Sequence, residues 1–142
     1  MNKIDTLECV LLIDDDEAAN FLHEMVIKRS GMKGHVLSLK NAQLGIEYLT
    51  RKLEIMGKTD YPQPGIIFLD INMPGMSGWD FLEVYRDLPP HRKTQVIIVM
   101  LTTSLNPEDR GKAKKYEDVA EFRNKPLTLA MFMEIANQYF EQ

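Results

Sequence analysis

The chain has 142 residues, of which 44% are hydrophobic and 27% charged, with a formal net charge of −4 at pH 7, and a chain of this size can bury the core of one domain without disulfides. Its single cysteine, Cys9, excludes an intrachain disulfide, and the acidic balance gives no reason to expect binding to nucleic acid or to an anionic membrane. Because the first residues show no signal-peptide pattern and no apolar run approaches a membrane span of roughly 18 residues, we expect a cytoplasmic protein.

Five short apolar segments alternate with five stretches of helical character, which predicts repeated β-α-β units around a parallel sheet. The first helix is predicted over residues 17–30, with Gly31 as a suitable stop. The predicted strands cover residues 8–13, 35–39, 66–70, 95–101 and 120–123. The positions of the first helix that recur at helical spacing are Ala18, Phe21, Leu22, Met25 and Arg29.

The second helix is predicted from a cap at Asn41 to about Met56, followed by a proline-containing loop over residues 57–65. A third helix is predicted over residues 79–88, where a pair of prolines ends it. The inner side of the second helix is predicted to carry Leu44, Tyr48, Leu49 and Leu53.

The fourth helix has good start signals at Asn106 and Pro107 but a poor interior. Gly111 lies inside it and its apolar stripe is thin, so we expect this helix to be loosely held. The last helix is predicted from a cap at Thr128 to about Phe140.

Polar side chains stand at the ends of four predicted strands. The carboxyl ends of parallel strands meet at one edge of a sheet, where open α/β sheets build their sites. The edge would gather three carboxylates, one hydroxyl and one ammonium, a set suited to a divalent metal and a phosphoryl group. The residues concerned are Asp14, Asp15, Asp70, Thr102 and Lys125.

Asp70 is the candidate nucleophile, because a carboxylate can attack phosphorus and form an acyl phosphate. The loop after it can bring the backbone carbonyl of Asn72 to a Mg²⁺ ion held by the carboxylates. Thr102 and Lys125 suit the stabilisation of phosphoryl oxygens. Thr103 remains an alternative to Thr102, although strand continuity favours the earlier residue. Asp16 is interpreted as a helix cap.

Four motifs of the chain resemble the receiver domain of two-component response regulators, over residues 8–142. This resemblance implies a flavodoxin-like, doubly wound α/β fold with five β-α units and a parallel sheet of order 2-1-3-4-5. It also implies phosphorylation of Asp70 by a histidine kinase or a phosphotransfer protein. The motifs are LIDDD at 12–16, FLDINMPGMSG at 68–78, LTTS at 101–104 and NKP at 124–126.

Further residue roles follow from the resemblance. Asp15 is expected to bind Mg²⁺ directly, Asp14 through water and Asn72 by its backbone carbonyl, with Asp70 completing the metal site. Thr102 matches the switch hydroxyl, and Lys125 matches the phosphate-binding lysine, which is expected to precede a cis peptide bond to proline. Phe122 takes the place of the switch aromatic, which is often tyrosine, so a hydrogen bond through that hydroxyl is lost.

The sequence therefore predicts a stand-alone receiver over residues 1–142, without an output domain, that is a signalling switch and not an enzyme on other substrates. Its expected output surface is the fourth helix, the fifth strand and the fifth helix, where Met131, Met133 and Phe140 are available to a downstream protein or a second copy of the chain. No binding to nucleic acid or membrane is expected.

Two other functions compete with this prediction. An aspartyl-phosphate phosphohydrolase would use Asp14 and Asp16 as nucleophile and acid/base, but Ala18 stands where that pattern has threonine or valine. A degenerate receiver acting as a scaffold is disfavoured because the phosphate-site residues are all present. His23, His35 and His91 show no ligand spacing and are interpreted as ordinary structural residues.

Overall fold

Strands and helices alternate along the chain in the computed structural model, which describes residues 6–59, 61–93 and 95–140. The strands are β1 (Cys9–Ile13), β2 (His35–Leu39), β3 (Ile66–Leu69), β4 (Ile97–Thr102) and β5 (Val119–Asn124). The helices are α1 (Glu17–Arg29), α2 (Ala42–Leu49), α3 (Gly78–Arg86), α4 (Pro107–Ala113) and α5 (Leu129–Tyr139). None of the helices in these ranges has the length and apolar character required to cross a bilayer.

The five strands of the described chain form one parallel sheet in the order β2-β1-β3-β4-β5, as the resemblance to receiver domains implied. Strand β2 lies on one side of β1, and the chain then crosses to the other side of β1 to form β3, so β1 and β3 are neighbours. In their register Ile13 pairs with Leu69. The next residues, Asp14 and Asp70, therefore leave the sheet side by side at its carboxyl edge, which is where such sheets bind ligands.

Apolar residues cover both faces of the central strands, as expected for a parallel sheet between two helical layers. Every residue of β1 and β3 is buried. Alternate residues contribute to separate cores, so Leu11 and Ile67 pack on one face while Leu12 and Phe68 pack on the other. The strand ends that carry the polar side chains are consequently anchored by two cores.

Helix α1 does not bury the stripe that its apolar residues suggest. Phe21 and Leu22 are 64% and 57% exposed, and Met25 is also exposed, whereas Asn20 and His23 are buried. The reason is hydrogen bonding, because Asn20 bonds to the backbone of Asp14 and His23 bonds to the backbone of Leu127. The direction of the helix is thus set by its polar side chains together with the buried Ile27 at its far end. Asp16 caps α1, as predicted.

Helix α2 is shorter than predicted and ends at Leu49 instead of about Met56. The backbone of Arg51 adopts a left-handed φ of 64°, which does not continue a helix. The loop that follows is drawn across α2, since the Tyr48 hydroxyl donates to the carbonyl of Pro62 at 2.7 Å and the rings of Tyr48 and Tyr61 stack at 4.9 Å. Tertiary contacts therefore override the continuing apolar periodicity of this segment.

The remaining boundaries differ from the predicted ones by one to two residues. Strand β4 begins at Ile97 because Gln95 has a left-handed φ of 59°, and it extends to Thr102. Helix α3 ends at Arg86, and β5 is longer than predicted at both ends. These shifts leave the order of elements unchanged, and the peptide bond between Lys125 and Pro126 is cis, as expected.

Gly78 brings the start of α3 against the end of β3. A Cβ atom added at this glycine would lie 2.4 Å from the carbonyl oxygen of Asp70, whereas one added at Gly111 in α4 would meet nothing within 4 Å. We expect Gly78→Ala to lower the free energy of unfolding by about 1 to 3 kcal/mol through overpacking. Gly111→Ala should raise it by roughly 0.5 to 1 kcal/mol because a helical glycine is removed.

Urea unfolding of both variants measures these opposite effects. A Gly78→Ala protein as stable as the wild type would show that α3 does not approach Asp70 as closely as the distance indicates.

Candidate functional site

Three carboxylates meet at the carboxyl ends of β1 and β3. Each of Asp14, Asp15 and Asp70 offers an oxygen atom, and these atoms all lie within 4.8 Å of one another. Asp14 and Asp70 are buried, whereas Asp15 is exposed. The cluster thus has two carboxylates inside the protein and one toward solvent, a donor set that fits a hard divalent cation such as Mg²⁺.

The backbone of each site residue extends the hydrogen-bond ladder of the sheet. The Asp14 amide donates to Leu39 at 3.1 Å, and the Asp70 amide donates to Ile13 at 3.0 Å. The amide of Lys125 similarly donates to the carbonyl of Thr102 at 2.8 Å. Because these bonds continue β-sheet geometry, the strands themselves fix where the three side chains begin.

Besides the bond from its amide, Asp14 accepts three hydrogen bonds. One carboxylate oxygen accepts the amide of Asp16 at 2.9 Å, and the other accepts the ammonium of Lys125. Its backbone carbonyl accepts the side-chain amide of Asn20 at 2.8 Å. Both oxygens of the Asp14 carboxylate therefore already accept hydrogen bonds. This suits a residue that binds a metal through a water molecule and not directly.

Lys125 lies between the two buried carboxylates. Its Nζ forms an ion pair with Asp14 and lies 3.6 Å from Oδ1 of Asp70. The closer pair is thus with Asp14, and Asp70 is the second partner. Burial opposes the charged form of Lys125, but the hydrogen bond that its ammonium donates to Asp14 and the charge of Asp70 outweigh this effect, so the pKa of Lys125 is raised.

Asp70 is electrostatically strained in the absence of a metal. Burial raises its pKa to about 6, and the negative charge of Asp14 acts in the same direction. Lys125 opposes the shift without cancelling it. A bound cation would favour the ionised form, which is the form that can act as a nucleophile.

The structure separates the two candidate hydroxyl residues. Thr102, the last residue of β4, is fully buried, whereas Thr103 is exposed. The Thr102 hydroxyl oxygen accepts the amide of Ser104 at 3.1 Å, and the Ser104 hydroxyl bonds to the Asp109 carboxylate at 2.5 Å. A chain of hydrogen bonds therefore runs from the sheet edge into α4.

The loop after β3 places Asn72 two residues beyond Asp70, with an exposed side chain. Gly75 in this loop has a φ of 78°, a conformation that glycine adopts without strain. The loop ends in a capping box between Ser77 and Asp80 at the start of α3. Both ends of the segment are thus fixed next to the acidic cluster.

Phe122 is half-buried in β5, beside α4. The guanidinium of Arg110 lies 4.9 Å from the centre of its ring, and the same side chain donates to the carbonyl of Phe122 at 3.4 Å. This cation–π contact joins α4 to β5 at the position that the sequence assigned to the switch aromatic.

Two polar residues of α1 lie near the site: Asn20, which no sequence pattern singled out, and His23, which was interpreted as an ordinary structural residue. Both are buried on α1, and the loops that they bond to carry Asp14 and Lys125. A signal was present in the spacing, since Asn20, His23 and Ile27 stand at positions i, i+3 and i+7 of one helix face. It was obscured because the stronger apolar positions of this helix point outward.

A doubly wound sheet of order 2-1-3-4-5, with an acidic cluster at the switch point beside β1, is the architecture of the flavodoxin-like signalling domains. The chain belongs to the response regulator receiver domain family, whose model matches residues 10–137. It is therefore a receiver domain of two-component systems.

Individual relatives support this assignment. A two-component response regulator from Cytophaga hutchinsonii has 29% sequence identity and a TM-score of 0.81, covering 96% of this chain and 98% of that one. The response regulator Rcp1 of Synechocystis sp. is 28% identical over 100 residues, which are 70% of this chain and 65% of Rcp1. The Mn²⁺-bound form of Rcp1 shares the fold, with 22% identity and a TM-score of 0.71 over 95% of this chain and 96% of that one.

The raised pKa of Asp70 should have a measurable effect on the free energy of unfolding. Its native pKa of about 6 lies above the ordinary value of 3.8, so the native state binds more protons and its stability falls as the pH rises between these values. Without divalent metal, Asp70→Asn should therefore be more stable than the wild type at about pH 7.5, by about 1 to 3 kcal/mol, and the difference should shrink toward about pH 4.5.

Urea unfolding in a chelating buffer at the two pH values provides the measurement. Glu54→Gln, which neutralises an exposed acid in the loop after α2, is the matched control and should change little. A destabilised Asp70→Asn protein at the higher pH would contradict the charge balance derived for the site.

Proposed function

We propose that this chain is a phosphorylation-controlled switch that accepts a phosphoryl group on Asp70 from the phosphohistidine of a histidine kinase or phosphotransfer protein. An Oδ atom of Asp70 forms the bond to phosphorus, the bond from phosphorus to the imidazole nitrogen breaks, and an acyl phosphate results. The observation that carries this proposal is the cluster of Asp14, Asp15 and Asp70 within 4.8 Å, with Lys125 against both buried members.

The groups proposed to hold Mg²⁺ directly are Asp15, Asp70 and the backbone carbonyl of Asn72. Asp14 is proposed to bind the ion through a water molecule. When bound, the ion would offset the repulsion among the carboxylates and the charge on the phosphoryl oxygens. Asp15 is suited to this position because its carboxylate is exposed beside the two buried ones. The existence of a Mn²⁺-bound form of Rcp1 supports the choice of a divalent cation.

Lys125 and Thr102 are proposed to stabilise the phosphorylated state. The ammonium of Lys125 lies 3.6 Å from Asp70 and can pair with a phosphoryl oxygen carried there. The buried hydroxyl of Thr102 accepts a hydrogen bond from Ser104, so its own proton is available to a phosphoryl oxygen. Phosphorylation would draw both groups toward the new charge.

The proposed output surface consists of α4, β5 and α5. Of the seven residues of α4, all of them described, only Ala113 is buried. The helix depends on polar contacts instead, since Asp109 bonds to Ser104 and Arg110 contacts Phe122. A movement of Thr102 would reach α4 through Ser104, which is also bonded to the side chain of Asn124 in β5 at 2.9 Å.

A downstream protein is the proposed partner of this surface, and a second copy of the chain is the alternative occupant. Met131 and Met133 are half-buried on α5, and Leu129 is 41% exposed at its start. Flexible thioether side chains adapt readily to a partner. Phe122, half-buried between them and α4, is the residue whose position would report the state of the site.

The phosphohydrolase alternative is less well supported. It requires Asp16 to act as an acid or base in the site, but the carboxylate of Asp16 accepts the amides of Ala18 and Ala19 and closes the first turn of α1. The residue therefore has a structural role that its position explains fully.

Phosphate incorporation tests the proposed function. Incubation with a small phosphodonor and Mg²⁺ should add one phosphate to the wild type, measured by intact mass, and none to Asp70→Asn. Asp15→Asn should lose most of the incorporation because the exposed metal ligand becomes neutral. Asp16→Asn is the matched control, since asparagine caps a helix as well as aspartate does.

Incorporation of a base-labile phosphate into Asp70→Asn would refute the assignment of the acceptor. Equal losses in Asp15→Asn and Asp16→Asn would refute the assigned metal ligand.

The output surface is tested by amide hydrogen exchange with and without a beryllofluoride phosphate mimic. We expect altered protection in α4, β5 and α5, because the hydrogen bonds from Thr102 through Ser104 lead to α4 and β5, and Lys125 lies in the turn that leads into α5. Asp70→Asn is the control and should show no change. Changes confined to α1 and the loop at Asp14, with residues 105–140 unchanged, would exclude this surface.

A further inference from the structure

Helix α1 buries two polar side chains directly beneath the proposed phosphoryl site. Asn20 and His23 are 5% and 4% exposed. A buried polar group is costly unless it is hydrogen-bonded, and apolar residues would satisfy core packing at these positions. Their contacts therefore require a reason beyond packing.

Asn20 binds the first loop of the site. Its side-chain amide donates to the backbone carbonyl of Asp14 at 2.8 Å. This bond fixes the peptide that joins Asp14 to Asp15, from which the exposed carboxylate of the cluster extends. Asn20 thus acts on the β1–α1 loop from below.

His23 binds the other loop. Its Nε2 accepts the backbone amide of Leu127 at 3.3 Å, across 104 residues of sequence. An imidazole that accepts through Nε2 carries its proton on Nδ1. Burial lowers the pKa of His23, and Lys125 lowers it further against the opposing charges of Asp14 and Asp16. The ring is consequently held neutral, which is the form able to accept this bond.

The two bonded loops are the ones that carry the central ion pair of the site. Leu127 is two residues beyond Lys125, and the ammonium of Lys125 pairs with Asp14. Asn20 and His23, one turn apart on α1, therefore hold both partners of that pair by their backbones.

A small polar chamber lies between these groups and the site. Its volume is about 10 Å³, and Asn20, His23, Asp14 and Asp70 contribute to its walls. The Oδ1 atom of Asn20 has no hydrogen-bond partner among the described residues. One water molecule would fit such a volume and could satisfy that oxygen, so the polar face of α1 is continuous with the acidic cluster.

We propose that His23, assisted by Asn20, is a positioning residue for phosphoryl transfer to Asp70. By accepting the Leu127 amide it fixes the turn after β5, and through that turn it fixes the ammonium of Lys125 against the buried carboxylates. The inference rests on the function proposed above, because it concerns the same site. Its consequence is that the acceptor atom at position 23 matters more than the shape of the side chain.

Two substitutions at position 23 distinguish the effect of the hydrogen-bond acceptor from the effect of side-chain shape. His23→Gln keeps an oxygen that can accept the Leu127 amide, whereas His23→Leu fills the space without an acceptor. With a small phosphodonor at saturating Mg²⁺, His23→Leu should be phosphorylated at least about tenfold more slowly than the wild type, as expected when a reacting group is misplaced. His23→Gln should recover most of that rate. Ile27→Val, on the same buried face, is the packing control and should keep the wild-type rate.

Nuclear magnetic resonance tests the hydrogen bond between His23 and Leu127 without any need for phosphorylation. In the wild type, the ¹⁵N spectrum of the His23 ring should show Nδ1 protonated and Nε2 bare. The amide proton of Leu127 should exchange faster in His23→Leu than in His23→Gln, because only the latter retains an acceptor.

Equal rates in the wild type and His23→Leu, or equal losses in the Leu and Gln variants, would overturn the proposal. If His23→Leu fails to fold, an Nε2-protonated ring in the wild type would overturn it, and a bare Nε2 would support it. Failure of the proposed function is distinguishable, because the wild type itself would then incorporate no phosphate while the ring and amide spectra would be unaffected.

Discussion

The repulsion between Asp14 and Asp70 is the constraint on which the rest of the site depends. The register of β1 with β3 brings the two buried carboxylates together at the edge of the sheet, and the exposed Asp15 adds a third charge. One ammonium, that of Lys125, compensates only part of this charge, and Asp70 keeps a raised pKa. The divalent cation proposed for this site would offset the remaining negative charge, and it would link the stability of the fold to the reactivity of Asp70.

The same balance explains how a local event can reach a distant surface. The two groups proposed to respond to new charge at Asp70, Thr102 and Lys125, lie at the carboxyl ends of β4 and β5. Thr102 is connected through Ser104 to Asp109 in α4, and Lys125 belongs to the turn that leads into α5. Helix α4 buries little apolar surface, so a few polar contacts contribute much of the free energy that holds it in place. A change in those contacts can therefore move the helix. Weak packing of α4 is thus a property that the proposed switch would require.

Much of this structure follows from the sequence, because polar residues at the ends of apolar strands have few alternatives in a parallel sheet. The acidic cluster and the place of Thr102 at the end of a strand were predictable on that basis, whereas the strand order was implied by the resemblance to receiver domains. The length of α2 was not, because its apolar periodicity continues past Leu49 while the stacking of Tyr61 on Tyr48 turns the chain away. Periodicity identifies a helix but does not show where a tertiary contact ends it.

The orientation of α1 was not predicted, for a different reason. Sequence patterns assign the apolar face of a helix to the core, yet α1 places Asn20 and His23 inside and leaves Phe21 in solvent. Leaving either buried side chain unpaired would cost about 1 to 3 kcal/mol, so the helix is seated correctly only when the loops at Asp14 and Leu127 are in place to bond with it. The docking of α1 and the geometry of the ion pair between Asp14 and Lys125 are therefore coupled, and a disturbance of either one is felt by the other.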